Sequence, residues 1–362
     1  MDWLIHKAGL EDIYEKVRTE ERLSFEDGLR LCQSSHLLVL GFLANMVRER
    51  KNGNKTYYVY NQHINYSNIC VNRCRFCAFG KDKGDPEAFE MTIPEIVDKV
   101  RERLHEPITE IHIVGGIHPD MPFDYYLNML REIKKIRPQV YLQAFTCVEI
   151  AHLAEISGLS IEETLLHLRE AGLGSLPGGG AEVFSARIRK NLCPRKLSPE
   201  GWLHVAKTSH RLGIPTNATI LYGHIETDEE RIAHLMALRE VQDETGGFVA
   251  FIPLAFHPKN TEFNHFPSTT GFSDLKNIAI SRLMLDNFPH IKAFWIMIGQ
   301  KLAQLSLSFG ADDIDGTVIE ERIVHMAGAE TAQGLTREEL LRLIHEAGRE
   351  PVERDTLYHV IQ

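Results

Sequence analysis

The spacing of apolar residues changes once along the chain, near residue 55. Before that point they recur at three and four positions, and the stretch reads as helices: one over Leu10–Arg18 and a second opened by Ser24 as its cap. From Tyr57 onward, short apolar runs alternate with longer amphipathic ones. The pattern predicts strands over 57–65, 109–114, 140–145, 216–222, 248–254 and 291–298. Between and after them it predicts helices over 90–105, 123–136, 161–171, 199–212, 228–244, 273–288 and 300–307. One more helix is predicted over 334–348, and the tail that follows, with Arg354-Asp355-Thr356-Leu357-Tyr358, carries no readable pattern.

Strands alternating with helices of this length make parallel βα units. Roughly eight such units predict an α/β fold, a (β/α) barrel of the triosephosphate-isomerase type, complete or partial. The expected division is an N-terminal helical extension over 1–55, the barrel over 56–320, and a C-terminal helical segment over 321–362 that packs on it. Barrel enzymes place their chemistry at the C-terminal strand ends, and the unusual residues gather there. Val114-Gly115-Gly116-Ile117-His118 follows the second strand, with glycines expected to allow close approach and leave N–H groups free. Pro177-Gly178-Gly179-Gly180-Ala181-Glu182 belongs to the turn-rich stretch after helix 161–171, and later strand ends carry His224, Glu226 and His257. The acidic run Asp312, Asp313 and Asp315 lacks the calcium-loop pattern and reads as a loop of hydrogen-bond acceptors.

Composition narrows the field of partners. The 362 residues are 43% hydrophobic and 25% charged, an ordinary globular balance. A formal charge of −10 without basic blocks argues against nucleic acid, and no apolar run reaches membrane-spanning length. Six cysteines, three of them close together, fit the reducing cytoplasm.

Those three carry the strongest chemical signal. Cys70, Cys74 and Cys77 are spaced Cys-x3-Cys-x2-Cys, and soft thiolates select zinc, copper(I) or iron–sulfur clusters. No fourth cysteine lies nearby, since Cys32, Cys147 and Cys193 stand apart and are expected only to pack. A [4Fe–4S] cluster on three thiols keeps one iron open, as catalytic metal sites keep an open position. The alternatives are zinc completed by His63 or His112, three buried structural thiols, and a disulfide; each fits the spacing less well.

Cys70-x3-Cys74-x-Phe76-Cys77, with its aromatic before the last cysteine, resembles the signature of the radical S-adenosylmethionine (SAM) superfamily. The resemblance implies a [4Fe–4S] cluster on Cys70, Cys74 and Cys77 and SAM as a consumed co-substrate. It assigns Phe76, Phe79, Gly115, Gly116, Glu182 and Arg189 to the cofactors: the glycines to the methionine amino group, Glu182 to the ribose, Arg189 to the SAM carboxylate. It also implies an electron donor such as flavodoxin or ferredoxin.

Within the superfamily, Asn61-Gln62-His63, Gly178–Glu182, Leu221–Glu226, Phe251–Pro258, Gly310–Thr317 and His325–Ala329 resemble the aminofutalosine synthases of menaquinone biosynthesis. Two related groups share much of this pattern, the dehypoxanthine futalosine cyclases and the tyrosine-joining subunit of FO synthase, both of which abstract hydrogen. The synthase resemblance implies addition of the 5′-deoxyadenosyl radical to the enol ether of 3-[(1-carboxyvinyl)oxy]benzoate. Aryl migration and loss of the carboxylate carbon then give 6-amino-6-deoxyfutalosine. The chain's tasks become positioning, exclusion of water, and anchoring of two carboxylates. The expected anchors are His63, Arg282 and Lys292, and the expected hydrogen-bonding or proton-moving residues are His63, His118, His224 and His257.

Overall fold

The computed structural model describes residues 1–361. Among them it has nine strands: β1 (Lys55–Val59), β2 (Asn61–Ile64), β3 (Glu110–Ile113), β4 (Tyr141–Ala144), β5 (Thr216–Tyr222), β6 (Phe248–Ala255), β7 (His290–Ile291), β8 (Asp313–Gly316) and β9 (Glu350–Glu353). Every named pairing is parallel, in the orders β8-β1-β9, β2-β3-β4 and β5-β6-β7. Single bridges join these groups: Gln143 with Ser175, Leu176 with Thr216, Lys292 with Asp313, and Gln62 with Ile319. With β1 and β2 as one bent stave and Ser175–Leu176 as a minimal one, the ring closes, so the barrel is complete.

The outer helices start where their sequences supply caps. Thr92, Thr146, Ser160, Thr227 and Thr336 each accept from the backbone three residues on while a glutamate there reaches back. Such reciprocal caps satisfy two orphan donors at once. Ser24 caps its helix the same way with Asp27. Several segments differ from the sequence pattern: the helices Cys147–Ser157 and Ala186–Leu192 and strand β9 stand where none was predicted. The apolar run 291–298 is strand only at its start and becomes the helix Trp295–Ile298, where Trp295 Nε1 donates to Gly316 O at 2.9 Å. The acidic run read as a loop contains β8, whose carboxylates are buried against cations.

The two chain ends brace this barrel. Helix Leu37–Asn52 packs on Gly271–Met284, and Phe25–Gln33 packs on Asp228–Thr245. Arg48, fully buried, donates to the carbonyls of Gly53, Lys55 and Ala311 and so ties the extension to the N-terminal rim. The C-terminal segment supplies the helix Arg337–Glu346 and then β9, which extends the sheet beside β1. The tail then closes the N-terminal end of the barrel. Arg354 Nε donates to Asp313 Oδ2 at 2.6 Å, Thr356 Oγ1 donates to Glu110 Oε2 at 2.7 Å, and Tyr358 stacks on His290 at 3.5 Å. With one end sealed, access is left to the end that carries the cysteines.

Candidate active site

A cavity of about 340 Å³ opens at the C-terminal strand ends, and Cys70, Cys74 and Cys77 all line it. The thiol loop is held by backbone bonds from separate segments: Cys70 N–H to Lys81 O at 3.0 Å, Val71 N–H to Ile117 O at 3.0 Å, and Arg75 N–H to Leu192 O at 2.9 Å. Arg73 bends it in the left-handed region at φ 42°. Phe76 and Phe79 join the wall, Phe79 packed edge-on against Phe89 at 6.0 Å. Cys193 is a buried free thiol.

Gly115 and Gly116 line the same end and permit the close approach expected of them, here by neighbouring parts of the chain. A Cβ on Gly115 would lie 2.5 Å from the Tyr66 ring, and one on Gly116 would lie 2.2 Å from Ile69 O. Their N–H groups are also taken, Gly116 by Ser67 O at 2.8 Å and Gly115 by Glu149 Oε1 at 3.0 Å. With both N–H groups bonded, the backbone polar group each glycine has left is its carbonyl oxygen. Glu149, unnoticed in the sequence, also accepts from Tyr66 OH at 2.8 Å and Thr146 N–H at 2.7 Å. Burial pushes its pKa up, and these hydrogen bonds pull it back.

Glu182 is buried, lines the cavity and sits at φ 51°. Its Oε1 accepts from Lys196 Nζ at 2.6 Å, and the same ammonium stands 5.3 Å from the Phe76 ring. Burial works against the Lys196 charge, but the Glu182 carboxylate holds its pKa above the ordinary value. Arg189 belongs elsewhere. Its guanidinium donates to the carbonyls of Ala181 and Leu197, fixing the turn that presents Glu182, and it is not part of the cavity wall.

The histidines divide. His118 Nε2 bonds Glu90 at 2.7 Å while its Nδ1 accepts from Asp120 N–H, and His224 Nε2 donates to Leu221 O at 2.9 Å. Neither lines the cavity; both fix loop backbone. His257 does line it, with Nε2 on Met297 O at 2.9 Å. His63 lies deeper, stacked on His112 with ring centroids 4.5 Å apart, and its Nε2 has no partner among the described residues. Arg282 lies at the opposite end, fully buried and paired with Asp312, so it cannot reach a substrate in the cavity. Lys292 lines the floor, 3.5 Å from Asp315.

The residues fit the cofactors. Three thiols face one space, a fourth side is open, and acceptor carbonyls and a buried carboxylate flank it. The zinc alternative needed His63 or His112 beside the thiols, whereas both belong to the floor. Residues 64–238 match the radical SAM superfamily, and residues 245–362 match the CofH/MqnC C-terminal region. An aminodeoxyfutalosine synthase of Thermus thermophilus is 52% identical over 99% of this chain and 97% of its own. The chain belongs to the radical SAM superfamily. A second aminodeoxyfutalosine synthase, from Streptomyces coelicolor, is 44% identical over 98% of this chain and 95% of its own. Among solved structures, methylornithine synthase superposes with a TM-score of 0.73 over 93% of this chain and 96% of its own, at 19% identity, and so shares the radical SAM barrel fold. As a superfamily member the chain uses a [4Fe–4S] cluster and SAM.

Proposed function

We propose that this enzyme joins C5′ of the SAM adenosyl group to the vinyl carbon of 3-[(1-carboxyvinyl)oxy]benzoate, giving 6-amino-6-deoxyfutalosine for menaquinone synthesis. The observation that carries this reading is full-length identity of 52% to an aminodeoxyfutalosine synthase, on a cavity whose polar groups lie at both ends. When bound and reduced, the cluster supplies the electron that breaks the C5′–S bond of SAM, leaving methionine and the adenosyl radical.

The residues do the positioning. Cys70, Cys74 and Cys77 hold the cluster, the Gly115 and Gly116 carbonyls suit an ammonium group, and Glu182 suits a ribose diol. Leu221, Ile252, Leu254, Phe256 and Phe294 make an apolar waist that takes an aromatic ring and excludes water. Radical chemistry needs such a waist, because exposed hydrogen donors quench carbon radicals. The electron donor is a small reductant such as flavodoxin or ferredoxin, and the compartment is the cytoplasm. No helix among the described residues is long and apolar enough to cross a membrane.

The test is an anaerobic incubation of reconstituted enzyme with dithionite, SAM and the aryl enol ether, with products resolved by mass. The expected product is an adenosyl–aryl adduct that has lost one carbon dioxide. Free 5′-deoxyadenosine without adduct overturns the reading in favour of a hydrogen-abstracting relative.

A further inference from the structure

The floor of the cavity is built as one polar layer across the barrel. The strand register sets His63 beside His112, His112 beside Gln143, and Gln143 beside Ser175. Gln143 Oε1 bonds His112 Nδ1 at 3.1 Å, and Gln143 Nε2 donates to Ser175 Oγ at 3.3 Å, so half of the layer satisfies itself. The other half does not. His63 Nε2 and Asn217 Oδ1 are buried without partners among the described residues. Lys292 is 4% exposed, and its nearest carboxylate, Asp315, stands 3.5 Å away, beyond a good hydrogen bond. Asp315 is itself engaged by Asn61 Nδ2 at 3.4 Å.

Unpaired buried groups such as His63 Nε2 and Asn217 Oδ1 are costly unless something fills them, and the Lys292–Asp315 ion pair at 3.5 Å is too long to satisfy the ammonium hydrogens. His63, Asp315 and Lys292 come from neighbouring staves, and Asn217 faces them within the same cavity. The open functions are an ammonium, an imidazole N–H in one tautomer, and an amide that becomes a donor when its O and N are exchanged. Three donors around one space fit a planar anion. We propose that Lys292, His63 and Asn217 form a carboxylate subsite that holds the ring carboxylate of the aryl substrate. This rests on the function proposed above and makes it directional. His112 and Gly116 are four residues apart, roughly 13 Å of extended chain. An acid held on the floor therefore points its vinyl group up through the apolar waist toward the thiol loop.

Charged groups facing His63 are His112, Asp315 and Lys292, and burial holds both imidazoles below their ordinary pKa, hence neutral near pH 7. Among the described residues Lys292 is then the one cation lining the floor, and Asp315 the anion that opposes an incoming acid.

The experiment is calorimetric titration of the cluster-loaded, SAM-saturated enzyme with 3-methoxybenzoate and, separately, its neutral counterpart 3-methoxybenzamide. Wild type should prefer the acid by on the order of 10- to 100-fold, the range of a charge-assisted bond. Lys292→Met should bring that ratio close to one with SAM affinity and cluster absorbance unchanged. Asp315→Asn keeps a residue tolerant of φ 68° and should raise the preference. A wild type that binds both probes alike, or a Lys292→Met enzyme that keeps the preference, overturns the subsite. Should Lys292→Met lose its cluster, an unchanged ratio in Asp315→Asn overturns it equally. Acid preference without any adenosyl adduct leaves the subsite standing and removes the reaction. Adduct formation by Lys292→Met at the wild-type KM does the reverse.

Discussion

Substituting alanine for Gly116 gives the most severe local test of how the thiol loop is held. The new Cβ would stand 2.2 Å from Ile69 O, 2.7 Å from Ile69 C and 3.0 Å from Cys70 Cβ. Ordinary contact begins near 3.4 Å, so the loop must retreat by about 1.2 Å. The nearest atoms are backbone, and no rotamer change relieves them. Overpacking of this kind costs ~1–3 kcal/mol. With an unfolding entropy of ~2.1 cal/mol/K per residue over the chain, that lowers Tm by only about 1–4 °C. Iron binding should suffer more, because the displaced residues lead directly into Cys70. The control is Gly80→Ala, whose Cβ meets Cys70 Cβ at an ordinary 3.4 Å. Iron and sulfide analysis after anaerobic reconstitution, alongside thermal melts, separates the two. Gly116→Ala should lose most of its cluster while Gly80→Ala keeps it; equal iron content in both refutes the reasoning.

The remaining expectations concern the scaffold. Arg354→Met leaves Asp313 buried without its 2.6 Å partner, and removing one side of a buried pair costs about 3–5 kcal/mol, readable as a lower urea midpoint. Glu149→Ala removes a helix cap and the acceptor for Gly115 N–H, and should destabilise by about 1–3 kcal/mol and weaken SAM binding in equilibrium dialysis. Burial opposes ionisation of Glu226, yet His224 and Arg231 hold its pKa down to about 2. A depressed carboxylate stabilises above its unfolded value and loses that contribution as pH falls through the folded one. The difference in unfolding free energy between wild type and Glu226→Gln should thus shrink by on the order of 3 kcal/mol from pH 5 to pH 2, and a constant difference would contradict it.

Much of the barrel was legible because its helices carry caps and its strands are apolar. Phe123–Ile136, Ile161–Ala171 and Thr216–Tyr222 fall on the residues the pattern predicts. β8 was not legible, since Asp313-Ile314-Asp315-Gly316 becomes strand only when Arg354 and Lys292 neutralise its carboxylates from distant parts of the chain. The tail was opaque for the same reason: Arg354 and Tyr358 have meaning only against Asp313 and His290. At the site, three thiols within eight residues announce themselves. Glu149 and Lys196 do not, because a capping glutamate and a loop lysine look alike in every helical protein. Arg189 and Arg282 misled for a related reason, as sequence does not distinguish an arginine that binds substrate from one that binds carbonyls.

The central claim is that C5′ of SAM ends bonded to a substrate carbon. Enzyme turned over with SAM labelled with carbon-13 at C5′ and substrate labelled at the vinyl methylene tests it directly by carbon NMR. A one-bond carbon–carbon coupling between the two labels in the product is the predicted result. A labelled methyl group in 5′-deoxyadenosine, with no coupled pair, would contradict the account.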